Sequence, residues 1–284
     1  MKAKAKAKAK PTGMVLPRPD ELNEPRTNLG DYVMCLYGKK AVGKTTLASR
    51  FPGAIVGQLE SGRRNLRIRQ VTLDQGWKQS QDFMRACVED DTVQTIVIDT
   101  IDVLHAQCMA YECEIRGISD PSEVKDFGAT WRAIADSFKG FLSDILGSGK
   151  GLIVISHDKV REVQVRTGDA YDLIIPSCSK GAFDWVQEAC DLLFYYGYHS
   201  KQRAVSVRPM SDANTEVACA CGPEGYFLDP NGTPISIFEV GNTPEIAYKD
   251  VMDAFHNKKW DVIRGEQIVQ DKNLKKTGKV KAKG

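Results

Sequence analysis

The sequence predicts an α/β fold, with a central mostly parallel sheet flanked by helices, on three observations. Short apolar runs recur along the chain with helical stretches between them. The runs are apolar throughout rather than at alternate positions, as in strands covered on both faces. The first of them, at residues 32–37, runs directly into a glycine-rich turn and then into helix formers. Strand and helix alternating in this way build βαβ units.

Residues 1–28 are rich in Lys, Pro and Asn and read as a disordered basic arm with an irregular lead-in. Residues 29–242 read as the core, with strands predicted over 32–37, 54–57, 95–98, 152–156, 191–196 and 203–207. A helix follows Asp99, over 103–115. A longer one is predicted over 124–146, where Trp131, Ile134, Ala135, Phe138, Phe141, Leu142 and Ile145 share one stripe and Gly147 and Gly149 end it. Residues 159–176 read as a β-hairpin turned by Thr167, Gly168 and Asp169. Thr243 before Pro244 opens a last helix, whose apolar face is Tyr248, Val251, Met252 and Phe255. That segment, 243–265, is expected to pack on or near the core, and 266–284 to form a basic disordered tail.

Hydrophobic residues at 42% and charged residues at 27% are ordinary for a soluble globular chain. No apolar run reaches the roughly 20 residues of a membrane span, and no secretory signal core is visible. The expectation is a cytoplasmic protein with no membrane partner. The 8 cysteines lack paired ligand spacing and read as small buried hydrophobes. The net charge of +2 is unevenly spread: lysine-rich ends carry +10, leaving −8 for the body. Basic arms on an acidic body suggest attraction to a polyanion, with simple solubility as the plainer explanation.

Gly38, Lys39, Lys40, Ala41, Val42, Gly43, Lys44 and Thr45 fit GxxxxGK[ST] at every fixed position, with Thr46 beginning the helix formers. Glycines let backbone N–H groups close around phosphate oxygens. In such a loop Lys44 reaches the β- and γ-phosphates and the Thr45 hydroxyl binds Mg²⁺. Asp99, at the end of the 95–98 strand, supplies the second metal ligand at the edge where α/β sheets bind ligands. Asp102 reads as a first-turn helix acid. The motif therefore implies a nucleoside triphosphate with magnesium. Glu60, just past the next strand, is placed to polarise an attacking water, or is an ordinary loop glutamate. His157, after Ser156 at a strand end, lies where a side chain meets the γ-phosphate, or is a buried structural histidine.

"LYGKKAVGKTTLASRFPGAIV", "LESG", "IVIDTIDVL", "DFGATWRAI" and "GLIVISHDK", in this order, resemble phage-encoded RecA-like P-loop ATPases. This is the short AAA-type group that includes single-strand annealing and recombination proteins, and the resemblance spans about residues 32–207. It implies a RecA-like core, Mg²⁺-dependent ATP hydrolysis, Glu60 as catalytic glutamate and His157 as γ-phosphate sensor. It also implies a homo-oligomeric ring or filament with ATP between subunits, acting on single-stranded DNA. DNA-stimulated turnover and single-strand-binding or replication proteins as partners go with that reading. The region after the sensor strand would face the DNA, with Lys159, Arg161, Arg166 and Lys180 available for phosphates. The lysine–arginine pair expected near a neighbour's nucleotide is missing after Pro209, and Arg203 and Arg208 are weak substitutes. The alternative function is an ATPase that loads or drives a partner protein, such as a helicase loader, without annealing activity.

Overall fold

The computed structural model describes residues 18, 20–60, 66–164, 170–199, 201–212 and 214–260, and the counts below refer to these. The basic tails, Arg166 and the hairpin turn at 167–169 lie outside the described residues.

In chain order the elements are β1 (Val33–Tyr37), α1 (Lys44–Ala48), β2 (Ala54–Gln58), β3 (Gln70–Thr72), α2 (Trp77–Glu89), β4 (Thr95–Asp99), α3 (Ile101–Glu114) and α4 (Ala129–Gly147). They continue as β5 (Gly151–Ser156), β6 (Asp158–Gln164), β7 (Ala170–Pro176), α5 (Lys180–Ala189), β8 (Leu192–His199) and β9 (Gln202–Ser206). Then come β10 (Met210–Asp212), β11 (Thr215–Val217), β12 (Ala220–Cys221), β13 (Ile237–Val240) and α6 (Pro244–Phe255). Six strands run parallel in the order β3-β2-β4-β5-β1-β8. Beyond β8 the sheet continues with antiparallel β9 and β13, and β12 also pairs with β8. A second sheet has the order β10-β11-β7-β6.

The continuous apolar runs are explained by two cores, one on each face of the large sheet. Along β5, Leu152 and Val154 enter one cluster with α2, α3 and α4 side chains such as Phe83, Leu104 and Phe138. Ile153 and Ile155 enter the other, with Leu47 of α1 and Val251 and Phe255 of α6. Successive strand residues point to opposite faces, so a strand covered twice has no polar positions. The fold is thus α/β with a large, mostly parallel central sheet flanked by helices, as the sequence predicts.

Several expectations need correction. The long helix begins at Ala129 rather than 124, because the Asp126 carboxylate accepts the N–H groups of Gly128, Ala129 and Thr130 at 3.0, 3.1 and 2.8 Å and caps it there. Trp131 is 50% exposed, and Ile134 is the first member of the stripe to be buried. Periodicity fixes a side chain's direction, not whether a neighbouring element reaches its turn. The 203–207 run is antiparallel, as it must be when a short turn joins it to β8. Lys180 opens α5 instead of lying in a loop. α2 was not predicted; its buried stripe of Trp77, Ser80, Phe83, Met84 and Cys87 is interrupted by polar residues.

All eight cysteines are free thiols and six are buried; burial pushes those of Cys108 and Cys178 up to about 12. Among the described residues no helix is long and apolar enough to cross a membrane.

The last helix is tied to the core through Phe255, which is fully buried, stacked on Tyr226 at 4.0 Å between ring centroids and edge-on to Phe227 at 5.6 Å. Phe255→Ala should lower unfolding free energy by about 3–5 kcal/mol in denaturant titrations. Ile246→Ala, at a half-exposed site on the same helix, should change it by no more than about 0.5 kcal/mol. Equal effects would mean that α6 is not anchored through its buried face.

Candidate functional site

Register brings the site together. β5 lies between β1 and β4, and Tyr37 pairs with Ser156, Ile155 with Asp99, and Asp99 with Gln58. The segments that follow these strand ends therefore emerge at one edge of the sheet. They carry the glycine-rich loop, Thr100, Glu60 and His157.

The loop between β1 and α1 needs its glycines. Gly38 has φ 149°, and a Cβ there would sit 2.1 Å from the Tyr196 carbonyl oxygen of β8. Gly43, at φ 108°, is the left-handed residue that caps α1. Val42 is buried in the core and anchors the loop, while Lys39, Lys40 and Ala41 are exposed at its crest and Thr46 is half-buried. Lys44 is buried, and its ammonium donates to the carbonyls of Gly38 at 2.7 Å and Lys39 at 2.9 Å. A positive charge is thus folded back over the loop that it completes.

Thr45 and Asp99 are both buried, and the Thr45 hydroxyl donates to Asp99 Oδ2 at 2.6 Å. Magnesium favours hard oxygen donors and needs only one or two from the protein when phosphates and water supply the rest. A hydroxyl and a carboxylate side by side fit that requirement. The bond from Asp99 to Thr100 is cis.

Glu60 and His157 meet across this edge, with His157 Nε2 at 2.9 Å from Glu60 Oε1. Two residues that the sequence reading missed hold the glutamate. Thr100, fully buried, donates its hydroxyl to the same Oε1 at 3.3 Å, and the Gln58 side-chain amide donates to the Glu60 backbone carbonyl at 3.0 Å. Their signal was position alone: each lies next to, or two residues from, a residue already singled out. Lys40, Leu59, Glu60, Val103, His157 and Asp158 line a cleft of about 660 Å³. Asp102 lies in the first turn of α3, as expected, and accepts from the Ser156 hydroxyl at 3.1 Å. Burial pushes its carboxyl above the usual range, and the Ser156 hydrogen bond opposes that shift.

Of the expected DNA contacts, Lys159 and Arg161 lie on one face of the β6–β7 hairpin and are exposed. The Lys159 ammonium reaches the carbonyls of Ser177 and Cys178 at 3.4 and 3.1 Å. Lys180 is on a different element and Arg166 is outside the described residues. Arg208 donates to the carbonyls of Phe227, Ile235 and Tyr226, and Arg203 to that of Asn242. Both arginines are engaged within the chain.

A family described as an AAA domain matches residues 31–219. No curated protein matches the chain. Among solved structures, a KaiC-like protein from the hyperthermophilic archaeon Pyrococcus horikoshii is similar at 13% identity and TM-score 0.43, over 75% of this chain and 87% of that one.

Thr45→Val keeps the side chain's size and removes its hydroxyl. Calorimetry should show nucleotide affinity falling by roughly 10- to 100-fold in magnesium and little in chelator; equal losses in both would remove Thr45 from the metal site. Gly38→Ala drives a methyl into the Tyr196 carbonyl and should abolish nucleotide binding and lower the melting temperature. Normal binding by this variant would show that the loop does not require the close approach.

Proposed function

The chain belongs to the AAA-domain family, and from that premise we propose that it is a magnesium-dependent, RecA-like ATPase that acts on single-stranded DNA as a homo-oligomer. The observation that carries the reading is the convergence of Lys44, Thr45, Asp99, Glu60 and His157 at one sheet edge, with the catalytic pair bonded at 2.9 Å.

Thr45 and Asp99 would hold the magnesium, which would supply positive charge toward the phosphates of ATP. The loop amides and Lys44 bind the triphosphate, Lys44 exchanging the carbonyls of Gly38 and Lys39 for phosphate oxygens. Glu60 orients water and takes its proton on a carboxylate oxygen. Thr100 and Gln58 keep that carboxylate at the cleft. His157 is the group whose partner changes with the γ-phosphate, bonded to Glu60 in one state and to phosphate in the other.

The residue after His157 is Asp158, the first of β6, so a shift of the sensor reaches the hairpin directly. Charge on that hairpin is segregated. Lys159 and Arg161 share a face with Tyr171, while Asp158, Glu162 and Asp172 lie on the other. Cations beside an aromatic ring suit a single strand, phosphates meeting the first and a base the second. The basic tails add long-range attraction. This supports a cycle in which ATP orders the hairpin for DNA and hydrolysis releases it.

ATP turnover with and without single-stranded DNA, across a salt series, tests the reading. Turnover should rise with DNA, and the rise should shrink as salt increases; indifference to DNA would favour an ATPase that drives a partner protein. Glu60→Gln should bind ATP normally and lose turnover by about 100-fold or more, and Lys44→Ala should lose both. Turnover persisting in Glu60→Gln would move the catalytic role elsewhere.

A further inference from the structure

Lys40 stands at the outer corner of a tight turn that the loop's own bonds fix. The Val42 N–H donates to the Lys39 carbonyl at 3.4 Å, closing the turn over residues 39–42. Ala41, the third of the four, takes φ 63°, a left-handed conformation that alanine seldom adopts. The Lys39 carbonyl also accepts from the Lys44 ammonium at 2.9 Å, and Val42 is buried in the core. The backbone of the turn is therefore held from below, while Lys40 is exposed at its tip.

Lys40 lines the cleft that Glu60 and His157 share. Among the described residues of the cleft wall, Glu60 and Asp158 are acids, Leu59 and Val103 are apolar, and Lys40 alone carries a fixed positive charge. A γ-phosphate entering this cleft brings negative charge toward both acids, and like charges in one site repel. Arg203 and Arg208 do not relieve that repulsion, since each is bonded to carbonyls of its own chain. An ammonium on a flexible four-carbon stem, with three donors, can follow phosphoryl oxygens as their charge shifts.

We infer that Lys40 is a catalytic residue acting in cis, its ammonium donating hydrogen bonds to the γ-phosphate oxygens of ATP bound by the same chain. The inference rests on the ATPase reading and deepens it, because no neighbouring chain then has to supply the cation. In the step, the water oxygen bonds to the γ-phosphorus as the bond to the β,γ-bridging oxygen breaks. The electron pair leaves with ADP, and a water proton passes to Glu60. Lys40 keeps its own proton and offsets charge on the transferring group, so it acts more strongly in the transition state than on bound ATP.

Turnover and calorimetry on the full chain test it. Lys40→Ala should lower kcat by about 100-fold or more. It should still bind a non-cleavable ATP analogue with magnesium within about threefold of normal. Its affinity for ADP with magnesium and aluminium fluoride, which mimics the transferring phosphoryl, should fall by about 100-fold. Lys40→Arg, which keeps the charge, should recover part of both losses, and neither variant should change the melting temperature. An equimolar mixture of Lys40→Ala and Glu60→Gln should stay as inactive as either alone, because no chain in it holds both groups. Normal kcat in Lys40→Ala, equal weakening of the two ligands, or no recovery in Lys40→Arg would each overturn the inference. So would turnover regained in the mixture, which would assign Lys40 to a neighbour's nucleotide. An unmutated chain that binds neither ligand would overturn the ATPase reading and this inference with it, whereas the other outcomes leave that reading standing.

Discussion

The short bond between the Thr45 hydroxyl and the Asp99 carboxylate, 2.6 Å long and closed to solvent, is the contact on which the site's arrangement depends. It joins the first turn of α1 to the end of β4 across the intervening β5. Two hard oxygens are thereby fixed at the sheet edge, next in sequence to the buried Lys44, in a position set by sheet register and not by loop conformation. Sites built on strand ends hold their geometry more tightly than sites on loops. The loop itself is determined from below, since Val42 is locked into the core and Gly38 lies against the Tyr196 carbonyl with no room for a side chain.

The same register explains why the glutamate and the histidine can talk to one another. Glu60 follows β2 and His157 follows β5, with β4 between them, so their side chains must lean over the end of β4 to meet. Thr100, the residue at that point, donates to the same glutamate oxygen. One carboxylate oxygen therefore receives two neighbours from two different strand ends. A change at either is felt at the other, and β6 begins at the next residue after His157.

Much of this was legible in the sequence because it depends on local patterns. The GxxxxGK[ST] loop, the strand ending in Asp99 and the doubly buried strands each leave a contiguous trace. What was not legible depends on contacts between distant segments. Thr100 and Gln58 gain meaning only when β2 and β4 become neighbours. The small sheet has strands too short to show a period: β10 and β11 have three residues each, and β11 pairs with β7, about forty positions earlier. Trp131 lies at the right angle for the core and still remains outside, because angle says nothing about how far a neighbouring element extends. Arg203 and Arg208, weighed as groups that reach another subunit, turned out to satisfy carbonyls of their own chain.

That use of Arg208 bears on how the body tolerates its charge. Its guanidinium caps the carbonyls of Tyr226, Phe227 and Ile235, which belong to segments with little regular structure of their own beside the buried aromatic cluster. Buried carbonyls must be satisfied, and a planar fork of donors does so for three at once. The arginine is thereby structural, and losing it would take a donor from the Tyr226 and Ile235 carbonyls, while the Phe227 carbonyl would keep the Ile235 N–H at 2.9 Å. Among the described residues, exposed cations at this edge include Lys159 and Arg161 on the hairpin and Lys39 and Lys40 on the loop crest. An acidic body thus offers positive charge where the two phosphate-bearing ligands of the proposed cycle would arrive.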